Sequence, residues 1–161
     1  MKRIAAVLAL GIALTLSGCA PTEEVTISNP WVRASEYSDH VGGMTGVFME
    51  ITNNKSEPVT LVGGAAELAN MVEIHEMAMI GDELKMQKLE NGLVIQPGET
   101  AVLEMGGYHV MLMDLKQAIL AGDVVSLTLD FEGAEDIELN DLVAKPSEGG
   151  DEEYHSEEMD H

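Results

Sequence analysis

The sequence predicts an all-β fold, a β-sandwich, from three observations. Apolar and polar residues alternate with a period of two over most of residues 25–143. Turn-forming Gly, Pro and Asn residues separate the alternating runs, and no long segment has the periodicity of a helix. Many short strands with such turns are typical of two packed, mainly antiparallel sheets.

The first half of this body begins with two predicted strands, 25–28 and 31–34, which flank a turn at Asn29-Pro30. Trp31 is expected in the core. Further strands are predicted at 47–51, 58–62 and 71–75, where β-branched or alternating residues lie between turn signals. A single helical turn is expected at 65–70.

In the second half, Asn91-Gly92 predicts a hairpin that joins 84–89 to 93–95. Pro97-Gly98 is a further turn before the run 100–105. Clean alternation predicts strands at 109–113 and 124–131, and 137–143 closes the body. A helical turn is expected at 115–120.

The N-terminus predicts export and lipidation. Lys2 and Arg3 precede the apolar run 4–16, which is too short to span a bilayer as a helix. Leu16-Ser17-Gly18-Cys19 is typical of a bacterial lipoprotein signal that is cut before Cys19, whose thiol takes the lipid. We therefore expect a protein of the cell envelope, held by its lipid anchor on the periplasmic or extracellular face of a membrane.

These features divide the chain into four segments. They are a lipoprotein signal peptide at 1–18, a lipidated tether at 19–24, a β-sandwich domain at 25–145 and an acidic, disordered tail at 146–161.

Charge and cysteine content exclude several functions. The formal charge is −21, and loss of Lys2 and Arg3 with the signal peptide lowers it to −23. Such a surface repels nucleic acid and anionic lipid and favours cations or basic partners. Cys19 is the only cysteine, so after lipidation neither a disulfide nor a thiolate ligand is available. A blue-copper electron-transfer centre, which needs a Cys ligand, is therefore excluded.

Histidine and methionine are concentrated on one face of two predicted strands. Successive side chains of a strand alternate between faces, so His109, Met111 and Met113 share one face and Val110 and Leu112 share the other. The earlier strand repeats this division, with Met71, Glu73, His75 and Met77 on one face. Soft thioether sulfur together with imidazole favours Cu(I) over Zn²⁺, Mg²⁺ or Ca²⁺.

These residues resemble the signature of the periplasmic copper chaperone family PCuAC, in its lipoprotein form. The family pattern is a His, ten residues, a Met, about twenty-one residues and then His-x-Met. Here ten residues separate His75 from Met86, and twenty-two separate Met86 from His109-Val110-Met111. The one-residue excess is expected in the loop before Met105 or Gly106. The resemblance covers roughly 25–143 and includes Glu73-Ile74-His75-Glu76-Met77 and Gly106-Gly107-Tyr108-His109.

The resemblance implies a cupredoxin-like Greek-key β-sandwich with a Cu(I) site at one end. It implies His75, Met86, His109 and Met111 as ligands, and a metallochaperone that delivers copper to respiratory oxidase centres by ligand exchange. The implied partners are a copper-accepting oxidase subunit or a second periplasmic copper carrier. We find no order of Ser, His and Asp, no phosphate loop and no convincing pair of acids, so an enzyme is not expected.

Secondary contacts and two other functions stay open. Met77 and Met113 share the faces of the predicted ligands and could supply a further contact or an apolar screen. In the tail, His155, Met159 and His161 could bind Cu(II), or the tail could serve only solubility. The protein could also be a copper-buffering or tolerance lipoprotein without a dedicated acceptor, or a β-sandwich assembly module that binds no metal.

Overall fold

The computed structural model describes residues 24–35 and 43–146, which form ten strands and no helix. The all-β prediction is therefore confirmed. The strands are β1 (Val25–Arg33), β2 (Gly43–Asn53), β3 (Val59–Ala65), β4 (Ala69–Ile80), β5 (Glu83–Lys88), β6 (Leu93–Ile95), β7 (Thr100–Leu103), β8 (His109–Leu115), β9 (Val124–Glu132) and β10 (Ile137–Lys145). Within these described ranges there is no helical segment with the length and apolar character needed to cross a bilayer.

The strands pair in the order β5-β4-β8-β2-β1-β10-β9-β3-β6, and β7 pairs with the end of β2 that β8 leaves free. Among the described strands, β1 and β10 form the one parallel pair. The continuous sheet folds so that one part lies on another, since β3 packs against β4 without pairing with it. Two layers result, and the aliphatic residues between them form the main core.

An irregularity in β1 moves Trp31 out of the core. Asn29 has φ +53°, and the pairing with β2 shifts between Ser28 and Trp31. Val32 therefore occupies the core position, and Trp31 lies opposite Phe48 on the outer face, with ring centroids 4.7 Å apart. The predictions of a turn at Asn29-Pro30 and of a core Trp31 were both wrong, because a bulge inverts the alternation without ending the strand.

The predicted hairpin at Asn91-Gly92 was also wrong. Gly92 does form a turn, with φ +70° and its N–H donating to the Leu89 carbonyl at 3.0 Å. However, β5 pairs with β4 around Gly81, and β6 pairs with β3 at the other end of the strand order. The turn at Gly92 thus leads the chain from one layer to the other. The helical turns expected at 65–70 and 115–120 do not form, since these segments are strand ends, turns and bends.

Candidate metal centre

The two imidazoles come from adjacent strands. His75 on β4 lies directly opposite His109 on β8, with ring centroids 5.9 Å apart and planes inclined by 60°. Both residues are buried, each with 6% of its surface exposed. They lie on the outer face of the sheet, because their strand neighbours Ile74 and Val110 point into the main core.

Met86 reaches this pair from the next strand. On β5 it lies opposite Met77, so its side chain is on the same face as His75. Its Sδ lies 3.2 Å from Nε2 of His109, two strands away. The thioether therefore extends over β4 and contacts an imidazole that is distant in both sequence and sheet order.

A backbone hydrogen bond determines which nitrogen of His109 carries the hydrogen in the neutral ring. Nδ1 lies 3.1 Å from the carbonyl oxygen of Gly107. A carbonyl can only accept, so Nδ1 carries the hydrogen and, in the neutral ring, Nε2 carries a lone pair. That lone pair faces the sulfur of Met86, which is also a donor of electron pairs. A soft cation at this position would be bound by both atoms.

The second imidazole is oriented by a carboxylate. The Nε2–H of His75 donates to Oε2 of Glu73 at 3.0 Å. Nδ1 of His75 is buried and has no hydrogen-bond partner among the described residues. A buried ring nitrogen without a partner costs free energy, which a bound metal would recover. Metal-binding histidines commonly donate their second N–H to a carboxylate or a carbonyl, as these two rings do.

Lys88 completes the support of Glu73. It lies opposite His75 on β5, and its Nζ donates to Oε1 of Glu73 at 2.9 Å. The hydrogen bonds from His75 and then from Lys88 hold the pKa of Glu73 below its ordinary value. The same carboxylate raises the pKa of Lys88. Both oxygens of Glu73 therefore accept hydrogen bonds. No pattern in the sequence predicted a role for Glu73 or Lys88.

Met111 lies on the same face, two residues beyond His109, with 1% of its surface exposed. Its cross-strand neighbours are Glu73 on β4 and Gly46 on β2. The secondary candidates differ in position, since Met77 lies beside Met86, whereas Met113 lies opposite Met71. Four other predicted site residues fall outside the described residues: Cys19, His155, Met159 and His161.

An aromatic layer, formed by Phe48 and Trp31, lies beside His109. The ring of Phe48 lies 6.3 Å from that of His109 and stacks on Trp31. Phe48 occupies space above Gly46, where an added Cβ would come within 2.7 Å of the Phe48 ring. The Arg33 guanidinium lies 5.7 Å from the centre of the same ring. Phe48 alternates with Val47 and Met49, so strand parity alone could have placed it on this face.

The side chains in contact here are two imidazoles and the thioether of Met86. Across 24–35 and 43–146, no three His, Cys, Asp or Glu side chains converge in a way that could hold a metal ion. The sites preferred by hard cations need such oxygen-rich clusters, whereas thioethers suit soft ions.

Comparison with known proteins identifies the family. Residues 25–143 match the model of a family described as "Putative lipoprotein LpqE-like". The chain belongs to the LpqE-like family. A protein of Leifsonia xyli subsp. xyli (strain CTCB07), named "Putative lipoprotein Lxx21020", is 33% identical over 132 residues, which cover 74% of this chain and 76% of that protein.

Solved structures share the fold of this LpqE-like chain. A copper-bound PCuAC domain from PmoF2 has a TM-score of 0.60 at 23% identity, over 76% of this chain and 94% of that domain. Apo-DR1885 from Deinococcus radiodurans has a TM-score of 0.56 at 27% identity, over 93% of this chain and 99% of that one. Its Cu(I) form, CuI-DR1885, has a TM-score of 0.52 at the same identity, over 81% of this chain and 80% of that one. The predicted resemblance to PCuAC domains and the cupredoxin-like β-sandwich are both confirmed.

Proposed function

We propose that this protein is an extracytoplasmic metallochaperone that binds one Cu(I) ion through His75, Met86, His109 and Met111. The observation that carries the proposal is the 3.2 Å approach of Met86 Sδ to Nε2 of His109, whose other ring nitrogen bonds the Gly107 carbonyl. A second imidazole with a buried, unpartnered nitrogen lies beside this pair. Side chains from three strands thus present imidazole nitrogen and thioether sulfur on one face.

The spacing of the donors suits a metal ion. Bonds of about 2.0 Å to imidazole nitrogen and about 2.3 Å to sulfur, at a tetrahedral angle, separate the two donor atoms by about 3.5 Å. The 3.2 Å between His109 Nε2 and Met86 Sδ is a few tenths of an ångström shorter. A rotation about the flexible Met86 side chain would provide the difference.

The ligand types support Cu(I) as the ion. Thioether sulfur is soft and neutral, and imidazole is compatible with both copper oxidation states. Two of the similar solved structures, the copper-bound PCuAC domain from PmoF2 and CuI-DR1885, are copper forms. Copper is here the cargo of the protein.

The position of the site supports transfer by ligand exchange. β5 is one end of the strand order, so none of the described strands pairs with its edge beside Met86. Met86 is half-buried, whereas His75 and His109 are buried. An incoming donor could replace Met86 first while the imidazoles still hold the ion. The strongly acidic chain would favour an acceptor with a basic surface, and that attraction should weaken with salt.

The proposed destination is the copper centre of a respiratory oxidase subunit, reached directly or through a second periplasmic copper carrier. We propose that Cys19 carries a lipid after removal of residues 1–18 and that 19–24 tethers the domain 25–145 to the membrane. The lipoprotein family supports this anchor. Replacing Cys19 by Ala should move the protein from the membrane fraction to the soluble fraction; continued membrane attachment would contradict lipidation at that residue.

Cu(I) affinity tests the binding site. In competition with a chromogenic Cu(I) chelator, the wild-type protein should bind one ion, and His75→Ala and Met86→Leu should each bind it much more weakly. Met49→Leu is the matched control, because Met49 is a buried methionine of the main core. Equal affinities for Met86→Leu and wild type would remove Met86 from the site, and unchanged affinity of His75→Ala would refute the site.

Transfer distinguishes a chaperone from a copper buffer. The Cu(I)-loaded protein is mixed with an apo oxidase copper domain, and the copper content of each is measured after separation. A chaperone should lose its ion to the acceptor, whereas a buffer would retain it. Deletion of 147–161 tests the tail, with the transfer experiment repeated and Cu(II) binding measured separately. If both transfer and Cu(II) binding are unchanged, the tail serves only solubility.

A further inference from the structure

Glu73 and Lys88 lie beside the proposed copper ligands without being suitable ligands themselves. Carboxylate oxygen is a hard donor that Cu(I) does not favour. Both oxygens of Glu73 already accept hydrogen bonds, one from His75 Nε2–H at 3.0 Å and one from Lys88 Nζ at 2.9 Å. The direct contact between Glu73 and a proposed ligand is its hydrogen bond with the imidazole of His75.

The effect concerns the choice between two ring nitrogens. A neutral imidazole carries its hydrogen on either Nδ1 or Nε2, and only the other nitrogen can bind a metal. The carboxylate of Glu73 accepts from Nε2–H, which leaves Nδ1 as the nitrogen with the lone pair. Nδ1 is also the atom that is buried and unpartnered among the described residues. His109 has the opposite arrangement, since Nδ1 bonds the Gly107 carbonyl and Nε2 lies 3.2 Å from Met86 Sδ.

The strand pairing explains why Glu73 can act in this way. Glu73 and His75 are two residues apart on β4 and therefore share one face. Lys88 lies directly opposite His75 on β5, so its side chain reaches the same carboxylate from the neighbouring strand. Glu73 is thus held at both oxygens, and the direction of its hydrogen bond to His75 is determined.

We propose that Glu73, oriented by Lys88, is a positioning residue that holds His75 in the Nε2–H tautomer and so makes Nδ1 its copper-binding nitrogen. The inference rests on the proposed Cu(I) site. Carboxylates that accept from a ligand histidine increase its basicity, and their loss typically lowers metal affinity about 10–100-fold.

Nitrogen-15 NMR of the histidine rings tests the proposal in the intact domain. In the apo protein, His75 should have the chemical shift of an unprotonated nitrogen at Nδ1 and of a protonated one at Nε2. Because Cu(I) is diamagnetic, its addition should shift the His75 Nδ1 and His109 Nε2 signals. An unprotonated Nε2 in apo His75, or a Cu(I)-bound form in which His75 carries its hydrogen on Nδ1, would overturn the assignment without any variant.

Paired variants separate positioning from a purely structural role. Glu73→Ala should give averaged His75 shifts from two exchanging tautomers and about 10–100-fold weaker Cu(I) binding. Glu76→Ala is the control, because Glu76 is on the same strand, faces the other way and bonds Gln87. It should leave both readouts at the wild-type values. Wild-type shifts and affinity in Glu73→Ala would overturn the proposal.

Lys88→Met and Lys85→Met test whether Lys88 orients Glu73. Lys88→Met should weaken Cu(I) binding by less than Glu73→Ala does, since the carboxylate remains and only its orientation is loosened. Lys85 is paired with Glu83 at 3.4 Å, away from Glu73, so Lys85→Met should have no effect. Equal Cu(I) affinities of the two lysine variants would mean that Lys88 does not orient Glu73. Failure of the wild-type protein to bind Cu(I) would refute the proposed function, whereas the apo tautomer would still be measured independently.

Discussion

Around His75 and His109, the side chains on both faces of β4 and β8 are buried, yet the two faces carry different residue types. On the inner face, Ile74, Val110 and Leu112 belong to the aliphatic core between the layers. On the outer face, His75, His109 and Met111 are about equally inaccessible but lie outside that core. The buried side chains of the inner face therefore stabilise the fold, whereas those of the outer face belong to the proposed copper site.

The largest effect on stability is expected on the inner face. Leu112→Ala removes a fully buried side chain and should lower the free energy of unfolding by about 2–5 kcal/mol. Chemical denaturation measures this change. The fraction that remains folded should bind Cu(I) with wild-type affinity, because Leu112 points away from the metal centre. A loss of affinity in the folded fraction would show that the two faces are coupled.

Exchanging two neighbouring side chains should produce the complementary result. Met111→Leu conserves volume and should cost less than about 1.5 kcal/mol of stability. It removes a thioether and should weaken Cu(I) binding at least as much as loss of a residue that hydrogen-bonds to a ligand, such as Glu73. The expected loss is therefore at least about 10–100-fold, or about 1.4–2.7 kcal/mol.

The matched variant Leu112→Met places a thioether on the inner face. Its stability cost should be similarly small, and its Cu(I) affinity should equal that of the wild type. Equal affinities of Met111→Leu and Leu112→Met would mean that Met111 is only an outer packing residue.

A third test concerns the aromatic layer beside His109. The Cβ of Gly46→Ala would come within 2.7 Å of the Phe48 ring, which packs against Trp31, and should cost about 1–3 kcal/mol. Gly43→Ala in the same strand meets only Leu115 Cδ1, at 3.8 Å, and serves as the control. Thermal unfolding and Trp31 fluorescence should change in Gly46→Ala alone. If the two variants behave alike, Phe48 has room to move and does not fix the position of His109.

The smallest effect is a pH dependence of the apo protein. The pKa of Glu73 lies below its ordinary value of 4.5 because His75 and Lys88 donate to the ionised form. The stability that this carboxylate contributes is therefore complete above about pH 4.5 and is lost as the pH falls through the lowered pKa. Denaturation of wild type and Glu73→Gln should differ most near neutral pH and converge in acid. A difference that does not depend on pH would contradict this origin.

Alternation along single strands was the part of the fold that the sequence predicted well. The division between His109, Met111 and Val110, Leu112 is present in β8, because a strand with one face on a core must alternate. The alternation ends where the backbone departs from regular β structure. Asp114 has φ +53°, and the following Leu115 returns to the core although it has the same parity as Met113.

Partnership between strands was not predictable in the same way. The Asn91-Gly92 turn was visible in the sequence, but a turn does not determine which strands pair, and β5 joined β4 instead of β6. The support of His75 by Lys88 follows only from that pairing. For the same reason Met86 was assigned from family resemblance alone, and its contact with His109 became visible only in three dimensions.

The most direct test of the proposed site is X-ray absorption at the copper edge of the Cu(I)-loaded protein. The site predicts a first shell that contains both imidazole nitrogen and thioether sulfur, and Met86→Leu and Met111→Leu should each lower the sulfur contribution. A first shell of nitrogen and oxygen without sulfur would contradict the proposed ligands.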